Sequence, residues 1–325
     1  MQCMRAVFVL AAKEKFVKKP GAELRFVSAN RRSGYAAETM IRREFLFGLT
    51  ATGVFATGHR DTVESPNSTL LSDGFVKTTL GADAWFEVHG NPKGLNVFLG
   101  GPVFSRTLVP ANIKLQTQIK EGYISRLGDK YKLLMSDYPH LESAAKNQNA
   151  TPMTVENVCQ DYLALANAAG MDRFAAAGYS WGGNSVLQLA TRSSRVAAVA
   201  VGGWPVIDGP YQILLQTVEK LHRESPDKLE IGRFISYYKS LQGWAERTEV
   251  AKLTCPRLNY IDIGDGDDTD FIGRFLRNRK TIQDLGWETA EVNSGNGHPG
   301  GLMPDIACPV IRTFLDKHSG KTKAW

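Results

Sequence analysis

Apolar and polar positions alternate along this chain in a repeating order of short buried strands and amphipathic helices from about Phe75 onward. Ser72–Gly81 and Ala84–His89 read as a leading antiparallel hairpin, and Leu95–Leu99 as the first central strand. Asn112–Leu127 has helical spacing at Ile113, Ile119 and Tyr123, and Tyr131–Ser136 is a strand again. Thr151–Ala169 carries the stripe Val155, Val158, Tyr162, Leu165 and Ala169; Thr151-Pro152 suits an N-cap followed by proline, and Gly170 stops the helix. Arg173–Gly178 is a short apolar strand, Gly183–Thr191 a helix and Val196–Gly202 a strand. Cys255–Ile263 is a strand, Phe271–Leu285 an amphipathic helix and Trp287–Asn293 a last strand. This alternation predicts one α/β domain with a mostly parallel sheet and helices on both faces. No internal repeat or low-complexity tract interrupts it.

About fifty residues separate the strand ending at Gly202 from the one beginning at Cys255, more than a crossover needs. Helical stretches at Tyr211–Arg223 and Leu229–Leu241 fall inside this interval, with Trp204, Tyr211, Phe234, Tyr237, Tyr238 and Trp244 nearby. These aromatics suit either an acyl pocket or the packing of the insertion onto the body.

The chemistry concentrates at Gly178-Tyr179-Ser180-Trp181-Gly182, which lies between a strand and a helix. Gly-x-Ser-x-Gly at such a turn is a nucleophile elbow, with small flanking residues because the two backbones nearly touch. Glycine is abundant, so the pattern alone is weak and needs partners in the order acid, then histidine. Gly264-Asp265-Gly266-Asp267-Asp268 supplies the carboxylates. His298, in Gly295-Asn-Gly-His298-Pro-Gly-Gly301, supplies the base, since His318 lies in a lysine-rich tail. Asp and Gly are also ordinary turn formers, so composition alone does not assign the acid. Leu99-Gly100-Gly101-Pro102-Val103 adds a glycine-rich strand end, where Pro102 has no N–H to give.

Over these segments, from about Phe75 to the C-terminus, the chain resembles the α/β-hydrolase fold family. The resemblance implies a central sheet with a small helical cap at about 204–248. It implies a catalytic triad of Ser180, Asp267 and His298. Asp265 and Asp268 rival Asp267 as the acid, and Asp262 is disfavoured because it lies within the strand. Gly101 and Trp181 would donate backbone N–H groups to an oxyanion, although Leu99 stands where family members usually carry histidine. His140 replaces the glycine of the family's Asp-x-Pro-Gly segment and would lie at the pocket mouth or on a surface loop.

The expected activity is hydrolysis of a carboxylic ester, or a related lactone or thioester, through an acyl-enzyme, with a small-molecule acyl substrate. A peptidase of the prolyl-aminopeptidase type is the alternative. It would need cap carboxylates for a free amine, with Glu219, Glu224 and Glu230 available. A non-catalytic binding protein on the same fold is a third reading. No metal or organic cofactor is required, and no His-Glu-x-x-His, Cys-x-x-Cys or phosphate-loop pattern is present.

Residues 1–74 fall outside this pattern. Arg42-Arg43-Glu44-Phe45-Leu46 and the apolar run to Gly58 resemble a twin-arginine export signal at about 40–58. The run is too short to span a bilayer, so no stable membrane insertion is expected. Met40 would then be the start of the exported form, with Ala56-Thr-Gly58 as an imperfect cleavage site. An organellar transit peptide or a plain tail are the competing readings, and the protein is cytoplasmic if the segment is no signal. Residues 1–39 hold eight Lys/Arg against three Asp/Glu and residues 40–58 add one net positive charge. They account for the chain's whole net charge of +6, leaving 59–325 neutral and giving no basis for nucleic-acid binding. Cys159, Cys255 and Cys308 remain after the leader, an odd number that argues against a disulfide scaffold. Cys159 reads as a core residue, and a Cys255–Cys308 bridge is open. The sequence leaves oligomeric state open. The exported protein is expected to begin near His59 on N-terminal sequencing; a mature cytoplasmic form retaining Arg42-Arg43 overturns the export reading.

Overall fold

The computed structural model describes residues 69–101, 110–138, 151–225, 229–264 and 271–319. The expected signal at 40–58, His140 and the aspartates 265, 267 and 268 lie outside the described residues.

Eight strands form one sheet in the order β1-β2-β4-β3-β5-β6-β7-β8. They are β1 (Leu70–Lys77), β2 (Asp83–Gly90), β3 (Leu95–Gly100), β4 (Tyr131–Ser136), β5 (Phe174–Tyr179), β6 (Val196–Gly202), β7 (Arg257–Asp262) and β8 (Glu288–Val292). The hairpin β1–β2 is antiparallel, and β2 runs antiparallel to β4. From β4 through β3 to β8 every pairing is parallel. β1 begins at Leu70, two residues ahead of the hairpin expected at Ser72.

The described helices are α1 (Pro110–Leu127), α2 (Val155–Ala168), α3 (Trp181–Arg192), α4 (Tyr211–Glu224), α5 (Leu229–Ser240), α6 (Glu246–Ala251), α7 (Ile272–Asp284) and α8 (Pro304–Ser319). Strand alternation decides which face each residue serves. Val97, Leu99, Ala175, Ala177, Leu258 and Tyr260 pack with Ile119 and Tyr123 of α1 and Ile311 and Phe314 of α8. Phe98, Phe174, Ala176, Val199 and Ile261 pack on the other face with α2, α3, α7 and the insertion between β6 and β7. Ala175, Ala177, Ala198 and Ala200 lie on the α1–α8 face, whereas Ala176 lies on the α3 face with Phe174, Val199 and Val201.

The chain runs from β4 across β3 to reach β5, so the strand order reverses between β3 and β5. Clefts at the carboxyl ends of strands open at such a switch point. That geometry brings Gly100-Gly101 beside Tyr179-Ser180.

Helix α2 starts later than Thr151-Pro152 suggests. Its N-cap is Thr154, in extended backbone, with Oγ1 accepting from the Asn157 N–H at 3.2 Å. The stretch before it buries Met153 completely. The Val155 N–H is taken by the Ser240 hydroxyl of α5 at 3.0 Å. Tertiary contacts, not the local Thr-Pro signal, therefore set this boundary. Thr154→Ala is expected to destabilise the protein by about 1 kcal/mol in urea denaturation, and Thr151→Ala by much less.

Candidate active site

The site begins at the turn between β5 and α3. Ser180 sits at φ 56 and ψ −122, in a region a non-glycine residue rarely occupies. Such a conformation costs on the order of 1–3 kcal/mol and persists only where the surroundings enforce it. Here the Ser180 N–H donates to the Gly202 carbonyl at 2.8 Å, and the Ser180 carbonyl accepts from the Asn184 N–H at 3.0 Å. The flanking glycines are required by contact. A Cβ on Gly178 would lie 2.3 Å from the Gly182 carbonyl oxygen, and one on Gly182 would lie 2.4 Å from that of Gly100. The elbow helix starts at Trp181, two residues earlier than the sequence pattern suggests, because Trp181 rather than Gly183 takes the first helical position.

His298 reaches Ser180 from a loop 118 residues further along, with Nε2 2.9 Å from Oγ. The residue is buried, and loss of hydration holds its imidazole down at about 4, below the usual 6.5. It is therefore neutral at pH 7, the form that accepts a proton. Its ring packs against Tyr179, with centroids 5.2 Å apart, and against Phe271, at 4.9 Å. Nδ1 is buried and has no hydrogen-bond partner among the described residues.

Asp262, at the end of β7, is fully buried and has another occupation. It accepts from the Gly264 N–H at 2.8 Å, the Ser294 N–H at 3.2 Å and the Ser294 hydroxyl. It thus ties the start of the acidic turn to the loop that carries His298. The sequence reading gave it no such role; the signal was a carboxylate inside an otherwise apolar strand end. Gly101 is buried at φ 130, and its Cα would meet a Cβ on Gly182 at 3.1 Å, so it lies against the elbow. The Trp181 N–H belongs to the first turn of α3, where N–H groups have no acceptor within the helix and carry the positive end of its dipole.

The insertion after β6 rests on the nucleophile helix. The Trp181 ring meets Phe234 at 5.9 Å and Tyr237 at 5.4 Å. Asn184, fully buried, donates from Nδ2 to the Tyr237 hydroxyl at 3.1 Å and accepts from the Tyr211 hydroxyl at 3.4 Å. Trp204, Phe234, Tyr237 and Tyr238 are buried in the core cluster, so they pack the insertion onto the body, one of the two roles left open for them; Tyr211 and Trp244 are half-buried. Glu219 pairs with Lys239 at 3.3 Å rather than waiting for a substrate amine. Glu224 is exposed, and the Glu230 side chain lies outside the described residues. Glu246 accepts from the N–H groups of Asp208 and Gly209, and burial raises it to about 7.

Cys159, Cys255 and Cys308 are all unpaired, so the open Cys255–Cys308 bridge is absent. Among the described residues no three His, Cys, Asp or Glu side chains are placed to hold a metal, and no helix is long and apolar enough to cross a membrane.

The fold has many counterparts among solved structures. A membrane phospholipase A described as a bacterial virulence factor superposes with TM-score 0.53 at 15% identity, covering 98% of this chain and 99% of its own. A hydrolase from Pseudomonas aeruginosa PA01 gives 0.52 at 14% identity over 75% of this chain and 98% of its own. The fold is that of the α/β hydrolases. Naproxen esterase from Bacillus subtilis gives 0.50 at 13% identity, covering 88% of this chain and all of the esterase. No family model and no curated protein matches the chain.

The depressed imidazole makes a prediction for stability. The native state holds His298 neutral down to about pH 4, whereas the unfolded chain protonates it near 6.5. Its contribution is present above 6.5 and is lost as pH falls from there toward 4. Denaturant unfolding is expected to show wild type losing on the order of 2 kcal/mol more than His298→Gln across this window.

Proposed function

We propose that the protein is a serine hydrolase that cleaves a carboxylic ester or a related acyl compound. The observation that carries this reading is the 2.9 Å approach of His298 Nε2 to the hydroxyl of Ser180 on a strained elbow. The structural neighbours include an enol-lactonase from Burkholderia xenovorans LB400 and esterases, which favours ester and lactone carbonyls over other acyl groups.

In this mechanism His298 takes the Ser180 proton as Oγ attacks the substrate carbonyl. The carbonyl oxygen becomes an oxyanion held by the N–H groups of Gly101 and Trp181, at the positive end of α3. His298 then passes its proton to the leaving alkoxide, and the acyl group remains on Ser180. Water repeats the sequence, with His298 as base, and releases the acid. The buried Nδ1 needs a carboxylate to fix its tautomer and stabilise the imidazolium. Asp267 is proposed for this task. The turn 265–270 starts at Gly264, which Asp262 ties to the His298 loop, and ends at Phe271, whose ring touches the imidazole. The described residues that flank 265–270, Gly264 and Phe271, thus stand at the His298 loop and against its imidazole. The cap over α3 is proposed to shape the acyl site, and no cofactor is needed.

A panel of p-nitrophenyl esters and proline-arylamides tests the reading. Wild type is expected to turn over esters and to be labelled at Ser180 by a fluorophosphonate, with both lost in Ser180→Ala. Asp267→Asn is expected to lose roughly 10²–10⁴ in kcat, while Asp265→Asn and Asp268→Asn keep most of it. Absence of both turnover and labelling in wild type overturns the proposal; proline-arylamide turnover above ester turnover replaces it with the aminopeptidase reading.

A further inference from the structure

His298 stands in a loop with positive-φ glycines at 295 and 297, a segment with much conformational freedom to lose. Its imidazole must nevertheless be held within a fraction of an ångström of Ser180. We infer that Tyr179, the residue before Ser180, is the positioning residue that sets His298 against it. This inference rests on the serine-hydrolase reading of the site.

The Tyr179 hydroxyl is 2.7 Å from the backbone carbonyl of His298 and donates to it. Its ring lies 5.2 Å from the imidazole centroid. The two contacts close a short ring: Ser180 to Tyr179 through the chain, Tyr179 to His298 through the phenol, and His298 back to Ser180 through Nε2. A shift of the elbow therefore carries the histidine with it. The phenol sits in a slot shaped for it. A Cβ on Gly301 would fall 2.3 Å from the phenol oxygen, and one on Gly203 would fall 2.5 Å from the ring. Tyr260 flanks the ring, with centroids 5.8 Å apart. Tyr179 is buried, so water does not compete for its hydrogen bond.

A second tyrosine offers an internal control. The Tyr123 hydroxyl of α1 donates to the Leu302 carbonyl at 3.1 Å, at the far end of the same 3₁₀ turn, His298–Leu302. It bonds the turn at Leu302 rather than at His298.

The test compares Tyr179→Phe and Tyr123→Phe in ester turnover across pH, with Tm as a check on folding. Tyr179→Phe is expected to lower kcat and the fluorophosphonate labelling rate about ten-fold with KM within about two-fold, since small misplacements of a reacting group cost this much. Loosening the loop admits water to the imidazole, so the acid limb of kcat/KM is expected to move upward toward the ordinary histidine range. Tyr123→Phe is expected to leave kcat and the acid limb unchanged. Wild-type kinetics in Tyr179→Phe overturn the inference, as do equal effects of the two variants or a kcat loss without movement of the acid limb. In each of these cases ester turnover that still requires Ser180 leaves the hydrolase reading standing. Loss of that requirement removes both.

Discussion

The structure depends on three backbones meeting with no side chain between them. The end of β3, the end of β5 and the first turn of α3 come within contact distance at Gly100, Gly178 and Gly182. Only that closeness forces the Ser180 backbone into its strained conformation and points its hydroxyl out of the carboxyl end of the sheet. The same closeness places Gly101 beside the first turn of the helix. Strain at Ser180 is held by the sheet, through Gly202, and by the helix, through Asn184, so neither element can relax it alone.

From the elbow the constraints spread to both sides. Toward the insertion, Trp181 and Asn184 hold Phe234, Tyr237 and Tyr211, making the elbow helix the floor on which α4 and α5 stand. Toward the C-terminal half, Asp262 binds two loops together by accepting three hydrogen bonds from them. A fully buried carboxylate is tolerable where such donors replace its hydration. On the loop that Asp262 anchors, the imidazole of His298 loses its hydration and remains a neutral base at ordinary pH. Burial thus accompanies loop fixing at Asp262 and suppression of charge at His298.

The order of strands and helices was legible from periodicity because the inner strands are continuous buried runs and α2, α4 and α7 each bury one face. Ser180 and His298 were legible because glycine-rich turns at strand ends leave few alternatives, and the structure brings the two together. Less legible were features that depend on contacts distant in sequence. Thr154 rather than Thr151 caps α2 because Met153 is drawn into the core and Ser240 reaches across. Asp262 was disfavoured as the acid because it lies within the strand, and its bond to Ser294, 32 positions away, leaves no local pattern to read. Asp265, Asp267 and Asp268 are alike in type and neighbours in sequence, so pattern alone ranks them without separating them.

The contact between Ser180 and His298 spans 118 residues. Between them the chain must lay down α3, β6, the whole insertion, β7, α7 and β8 before the hydroxyl and imidazole can meet. Contacts of such separation form late, because loop closure costs entropy before packing offsets it. The elbow itself is local and can form as soon as β5 and α3 dock. The elbow thus needs only neighbouring elements, while the Ser180–His298 pair needs the whole C-terminal half in place.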